Sequence, residues 1–186
     1  SVGSGSTGEI LIRAPWVSAG YLGRWAVERA ARPGDGWHRT GDVGHLDDAG
    51  RLWVEGRAVH VIDGPDGPIT PVPVERDVER ALVPAGLATA GRVAAVGVGP
   101  AGCQQVAIVI ERAGSTPGLA DSALATAVRA ATTVSVAAVL VTDALPVDIR
   151  HNAKIDRAEV AQWASELLAG DRSGRTAKRF RRLTGR

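Results

Sequence analysis

Three residues of this 186-residue chain have types and neighbours suited to chemistry. Asp42 follows a glycine in RTGDVG, which reads as a tight turn, and a carboxylate so presented can accept two hydrogen bonds from a vicinal diol such as a nucleotide's ribose. The amides of the same turn could equally absorb it, and from the motif alone both readings stand. Lys154, in LPVDIRHNAKIDR, follows a loop fixed by Pro146 and precedes a helix capped by Asp156. A loop can carry such an ammonium into a cleft, where it stabilises negative charge developing in a transition state, although most lysines are simply solvated. Arg57, after Gly56, has Glu55 and Asp63 near it in sequence as ordinary surface ion-pair partners, which would contribute little. His151 and Asn152 stand beside Lys154 with no assignable role. His38, His45 and His60 show no ligand-like spacing, and Cys103, in a turn near Gly102, reads as inert, so a metal site built by the protein is not expected.

The elements that must position these residues follow from periodicity and turn chemistry. EILIR, residues 9–13, reads as a strand bounded by Gly8 and Pro15, and residues 21–36 as mostly irregular, with at most a helical turn at 26–31 ended by Pro33, Gly34 and Gly36. Apolar runs on either side of Asp47-Asp48-Ala49-Gly50 predict a β-hairpin, because Asp and Gly tolerate the backbone angles of its turn. AVHVI, residues 58–62, reads as a strand, 63–68 as a turn and 69–72 as a second strand. Val74, Val78 and Leu82 then recur every four residues between charged ones, predicting an amphipathic helix. RVAAVGV, QVAIVIE and VSVAAVLV are strands, and 117–130 is a helix with Thr116 as its cap and Pro117 in its first turn. The last helix starts at Asp156, which accepts from the amide of Glu159, buries Val160, Trp163, Leu167 and Leu168, and stops at Gly170.

Composition narrows the classes. Forty-five per cent hydrophobic against 23% charged residues is the balance of a globular protein and excludes fibrous and largely disordered chains. The longest uncharged apolar-rich run, about Thr132–Thr142, falls well short of the ~20 residues a membrane-spanning helix needs, so no membrane span is expected. One cysteine and no basic, apolar leader fit a reducing compartment, with the cytoplasm as the default. The net charge of +2 hides an asymmetry: removing the seven basic residues of Arg172–Arg186 from 22 leaves 15 against 20 acidic, or −5. The basicity belongs to the tail, which has almost nothing to bury and is predicted to be mobile. The five tryptophans read as core or interface anchors rather than stacking platforms for bases, and no nucleic-acid partner is expected.

In order and spacing, GEILIRAPWVSAGYL, DGWHRTGDVGHLDDAGRLWVEGR, ITPVPVE and LPVDIRHNAKIDR resemble the later signature segments of the adenylate-forming superfamily, which includes acyl-CoA synthetases, peptide-synthetase adenylation domains and luciferases. Within it, GRAVH and DIRHNAKIDR are most similar to olefin β-lactone synthetases. The resemblance spans roughly residues 8–168. It implies an α+β fold: residues 1–56 as the terminal β-rich piece of a large adenylation domain, 57–170 as a small mobile lid domain with a mixed sheet packed by helices, and 171–186 as a basic flexible tail. It further implies Asp42 as the ribose-binding acid, Arg57 as a contact to ribose and phosphate, and Lys154 as the lysine used in adenylation. The implied co-substrate is ATP with Mg2+, acting on a fatty-acid-like carboxylate, with the N-terminal adenylation domain as partner in cis.

This chain departs from the family pattern at three points. Val59 stands where many relatives have an acidic or lysine hinge, DGPDGPI where thioester-forming relatives have a glycine loop near the pantetheine arm, and Ala153 where a glycine usually precedes the lysine. A half-reaction with coenzyme A is thereby put in doubt, while adenylation is not. The phosphate-binding loop, the adenine-holding aromatic segment and the threonine-glutamate pair that helps bind magnesium do not occur in these 186 residues, so the isolated chain is expected to be inactive. The expected activity of the whole is closure of a 2-alkyl-3-hydroxy fatty acid to a β-lactone with release of AMP and pyrophosphate. The alternatives are a long-chain fatty acyl-CoA ligase and, from a different class, a module binding an anionic partner through KRFRR.

Overall fold

A computed structural model describes residues 3–18, 20, 23–84, 86, 91–147 and 154–170; the predicted basic tail, His151, Asn152 and Ala153 lie outside them. The chain divides into two compact units, Ser1–Val59 and His60–Arg186. The first is built on an antiparallel sheet of β1 (Gly8–Ile12), β2 (His38–Leu46) and β3 (Leu52–Arg57), in that order. The hairpin joining β2 to β3 turns where predicted. Gly50 sits at φ +73, and the Asp47 carboxylate accepts from the amides of Ala49 (3.0 Å) and Arg51 (2.9 Å). Between β1 and β2 the chain forms a short helix, α1 (Trp25–Ala31), more regular than its sequence suggests and without a buried residue.

The two strands expected in the segment after Arg57 do pair as a hairpin, but both are shorter and shifted toward the turn. Ala58–His60 is a single 3-10 turn, with Val59 82% exposed, and the strand β4 occupies only Ile62–Gly64. It pairs with β5 (Gly67–Ile69), and by Pro71 the chain has entered helix α2 (Pro71–Leu82). Thr70 is the extended residue at its N-cap and Pro71 is pre-set for the first turn, so the helix claims residues that apolar content alone assigns to a strand.

The second unit centres on a mixed sheet of order β6-β7-β9-β8: β6 (Val93–Val98), β7 (Gln105–Glu111), β8 (Gly118–Leu119) and β9 (Val136–Thr142). Only the β7–β9 pairing is parallel. Helix α3 (Ser122–Ala131) starts later than predicted, because Asp121 rather than Thr116 caps it, accepting from the amide of Leu124 (2.8 Å), while Gly118 and Leu119 extend to pair with β9. Apolar side chains cover both faces of the sheet. Val74, Val78 and Leu82 of α2 and Leu124 and Val128 of α3 pack with Val106, Ile108 and Ile110. On the other face α4 (Arg157–Leu168) sets Val160, Trp163 and Ala164 with Ala94, Ala107, Val109 and Leu140. Leu167 only flanks this cluster and Leu168 is 41% exposed, so the predicted stripe of α4 is one turn shorter than its apolar sequence. No helix among the described residues is long and apolar enough to cross a membrane.

Candidate functional site

Asp42 lies inside strand β2 rather than in a free turn, and the ladder sets Arg57 of β3 directly across from it. The Arg57 guanidinium donates from Nη1 to Asp42 Oδ1 at 3.0 Å and reaches the carbonyl of Thr40 at 3.3 Å. The expected surface partners, Glu55 and Asp63, are therefore not the ones Arg57 is paired with here. Gly41 makes this possible twice over. Its φ of +74 kinks the strand, and a Cβ on it would stand 3.0 Å from Arg57 Nη2, where the guanidinium lies. Thr40 locks the kink from the other side, its hydroxyl donating to the Ile10 carbonyl (2.9 Å) and accepting from the Asp42 amide (3.0 Å). The Asp42 amide is thus held by a side chain, while its carboxylate takes a charged donor and stays 36% exposed. A carboxylate has about four acceptor directions. One bond from Arg57 leaves room for a diol, so the pair can present an acceptor and a cation side by side.

Lys154 belongs to the second unit and is exposed. The chain on its C-terminal side is fastened immediately. Ile155 bridges Val147, the Asp156 amide donates to the Pro146 carbonyl (2.9 Å), and Asp156 caps α4 by accepting from Glu159 N (3.2 Å) as predicted. Lys154 thus stands directly before this fastened stretch, which runs through Ile155 and Asp156. The next residue, Arg157, grips Glu75 of α2 with Nη2 at 2.9 and 2.7 Å from the two carboxylate oxygens. Glu75 also accepts from the amide of Ala95 in β6 (2.9 Å). Burial pushes the Glu75 carboxyl above its usual range, against the opposing pull of Arg157 and the Ala95 amide.

No protein-family model matches the chain. Against curated proteins, it is 38% identical over 181 residues to an olefin beta-lactone synthetase of Xanthomonas campestris pv. campestris, an alignment covering 88% of this chain and 31% of that protein. It is 44% identical over 71 residues to an indoleacetate–CoA ligase of Aromatoleum aromaticum, covering 38% and 14% of the two chains. The chain belongs to the adenylate-forming superfamily. Its fold agrees: ATP-bound MatB from Rhodopseudomonas palustris superposes with a TM-score of 0.69 at 21% identity, covering 89% of this chain and 32% of that one. The chain therefore spans about a third of the length of the adenylate-forming enzymes it matches.

Other polar groups of the chain are engaged locally. His45 Nδ1 lies 2.5 Å from Oε1 of buried Glu55, whose other oxygen accepts from Thr7 at 2.9 Å. Cys103 is exposed, and among the described residues no group of three or more His, Cys, Asp or Glu is placed to hold a metal ion. Only one of the five tryptophans is a core anchor: Trp163 is 3% exposed, whereas Trp16 and Trp25 are 86% and 74% exposed. Arginines lie over three of the others, with Arg13 4.8 Å from the Trp37 ring centre, Arg29 5.6 Å from Trp25 and Arg51 5.9 Å from Trp53. The sequence reading missed Thr40, Glu75 and Arg157. A signal existed for Glu75, an acid on the apolar stripe of α2, since an acid at such a position requires a buried partner.

Proposed function

We propose that this chain is the C-terminal part of an ATP-dependent enzyme that activates a fatty-acid-like carboxylate as its acyl-adenylate and closes it to a β-lactone. The observation that carries the reading is the Asp42–Arg57 pair, opposed across the β2–β3 ladder and admitted by the kink at Gly41. Asp42 accepts the ribose hydroxyls of ATP. Arg57 holds the Asp42 carboxylate in place and offers its remaining donors toward ribose and phosphate oxygens. The substrate carboxylate attacks the α-phosphorus, the bond to pyrophosphate breaks, and Lys154 stabilises the negative charge that collects on the acyl and phosphate oxygens. The 3-hydroxyl oxygen of the acyl chain then attacks the acyl carbon, its proton is lost, and AMP leaves as the four-membered ring closes.

Identity to an olefin beta-lactone synthetase over most of the chain supports this second step. The Pro-bearing turn of the β4–β5 hairpin, between Gly64 and Gly67, also weighs against a thioester-forming step with coenzyme A. Residues 1–56 would then be the end of the large domain, 57–170 the mobile lid and 171–186 a tail. The phosphate-binding loop and the acids that hold Mg2+ would come from the N-terminal domain in cis. The residues described offer the metal no cluster of ligands.

The test is pyrophosphate release by the complete polypeptide. Acid-dependent turnover is expected, and Lys154→Ala should lower kcat by about 10²–10³, the cost of removing one donor aimed at developing charge. Undiminished turnover in that variant removes the role given to Lys154. Product formed without coenzyme A supports the lactone, and strict dependence on coenzyme A replaces it with an acyl-CoA ligase.

A further inference from the structure

Glu75 and Arg157 form an ion pair whose side chains are 10% and 18% exposed, and 82 residues of sequence separate them. Burying two charges is costly, and apolar residues of similar volume in their place often leave a protein as stable or more so. A pair retained despite that cost calls for a reason beyond stability, and its surroundings supply one. The carboxylate is fixed at two points, projecting from α2 while its Oε1 accepts from Ala95 N on a strand whose neighbouring residues are wholly buried. The guanidinium it holds belongs to the first residue of α4, three residues after Lys154. Between them lie the Ile155 bridge and the Asp156–Pro146 hydrogen bond, so the fixed frame ends one residue short of the lysine.

Resting on the acyl-adenylate reading above, we propose that the Glu75–Arg157 pair positions Lys154, holding the lysine's backbone to the sheet of its own unit. Neither residue is assigned a contact with substrate. A flexible ammonium contributes to a transition state only if its backbone origin is fixed, and a displacement of ~1 Å can cost about 10² in rate. Arginine suits the task because its planar fork engages both carboxylate oxygens at once and so sets an orientation as well as a distance.

The experiment compares Glu75→Gln, Arg157→Lys and Lys154→Ala in the complete polypeptide. It measures acid-dependent pyrophosphate exchange, thermal unfolding, and hydrogen exchange in the peptide spanning residues 154–160. Glutamine keeps an acceptor for Ala95 N, so Glu75→Gln should fold. Its kcat should fall about 10- to 100-fold with KM for ATP within about twofold of the parent, and exchange at 154–157 should quicken. Arg157→Lys keeps the charge but loses the fork and should lie between, and it carries the test if Glu75→Gln fails to fold. Parental kcat in a folded variant, or a loss of kcat with no change in exchange at 154–157, overturns the positioning role. If Lys154→Ala abolishes exchange of pyrophosphate while the folded pair variants keep the parental rate, only this inference falls. If the parent shows no acid-dependent exchange, the adenylation reading falls and takes this inference with it.

Discussion

Replacing Gly41 by alanine separates two effects at the Asp42–Arg57 pair. The residue sits at φ +74, where an L side chain costs ~1–2 kcal/mol. Alanine also narrows the unfolded ensemble, which returns about 0.4–1 kcal/mol. The new Cβ would lie 3.0 Å from Arg57 Nη2, so the guanidinium must give by a few tenths of an ångström, which weakens its bond to Asp42. Both side chains are more than a third exposed, so solvent screening limits that bond to about 0–1 kcal/mol. Together these place the cost of Gly41→Ala at about 0–2.6 kcal/mol, centred near 1, a modest change. Its effect on nucleotide binding should be the more telling one. Urea unfolding followed by fluorescence measures the first part, since Trp16, Trp25, Trp37 and Trp53 all belong to the unit that holds Gly41. The second is a double-mutant cycle with Arg57→Ala, read in KM for ATP on the complete polypeptide. Each single variant should raise KM, and the double should fall short of the sum of the two, because alanine at 41 already disturbs the arginine. Strictly additive effects on KM would refute the claimed contact, and a variant more stable than the parent by over about 0.3 kcal/mol would refute the strain.

Two further outcomes test the framework that carries the site. Trp163→Ala empties the centre of the cluster under α4 and should cost about 3–5 kcal/mol in urea unfolding; a loss below about 1 kcal/mol would mean that the pocket collapses and that Trp163 does not organise that face. The Asp47 carboxyl is held down from 3.8 to about 2, first by the Trp53 indole N–H and then by the Arg51 amide. A depressed folded-state value means that the stabilisation it brings to the hairpin is present above pH 3.8 and is lost as the pH falls toward about 2. Carboxyl NMR should find that titration near 2, and Trp53→Phe should move it upward; a midpoint unchanged by that substitution would remove the indole as its main cause.

What the sequence made legible is what local chemistry dictates. Asp47 to Gly50 announces its own turn, the spacing of Val74, Val78 and Leu82 announces a helix face, and the apolar runs of β6, β7 and β9 announce buried strands. Errors arose where two local signals competed. Thr116-Pro117 reads as a helix start, but the strand pairing of Gly118 and Leu119 with β9 keeps those residues extended and the helix begins after Asp121. Residues 69–72 are apolar enough for a strand, but Pro71 and Pro73 suit the opening turn of a helix. At the candidate site the motif supplied Asp42, Arg57 and Lys154, whereas the contacts around them are tertiary. Nothing near Arg57 in sequence singles out Asp42 as its partner, and nothing near Arg157 points to an acid on α2. The register of β2 against β3 and the packing of α4 supply both.

The two-faced burial of the central sheet bears on how its strands find alignment. Where one side of a strand meets water, a slip by one residue exposes the core side and is penalised at once. Here a slipped β7 would still be greasy on both sides, so polarity cannot police the pairing. Size can: β7 sends Val106, Ile108 and Ile110 toward α2 and α3 but Ala107 and Val109 toward Trp163. A one-residue shift would drive two isoleucines against an indole that has room for a methyl group, leaving bulk to do the proofreading that water does elsewhere.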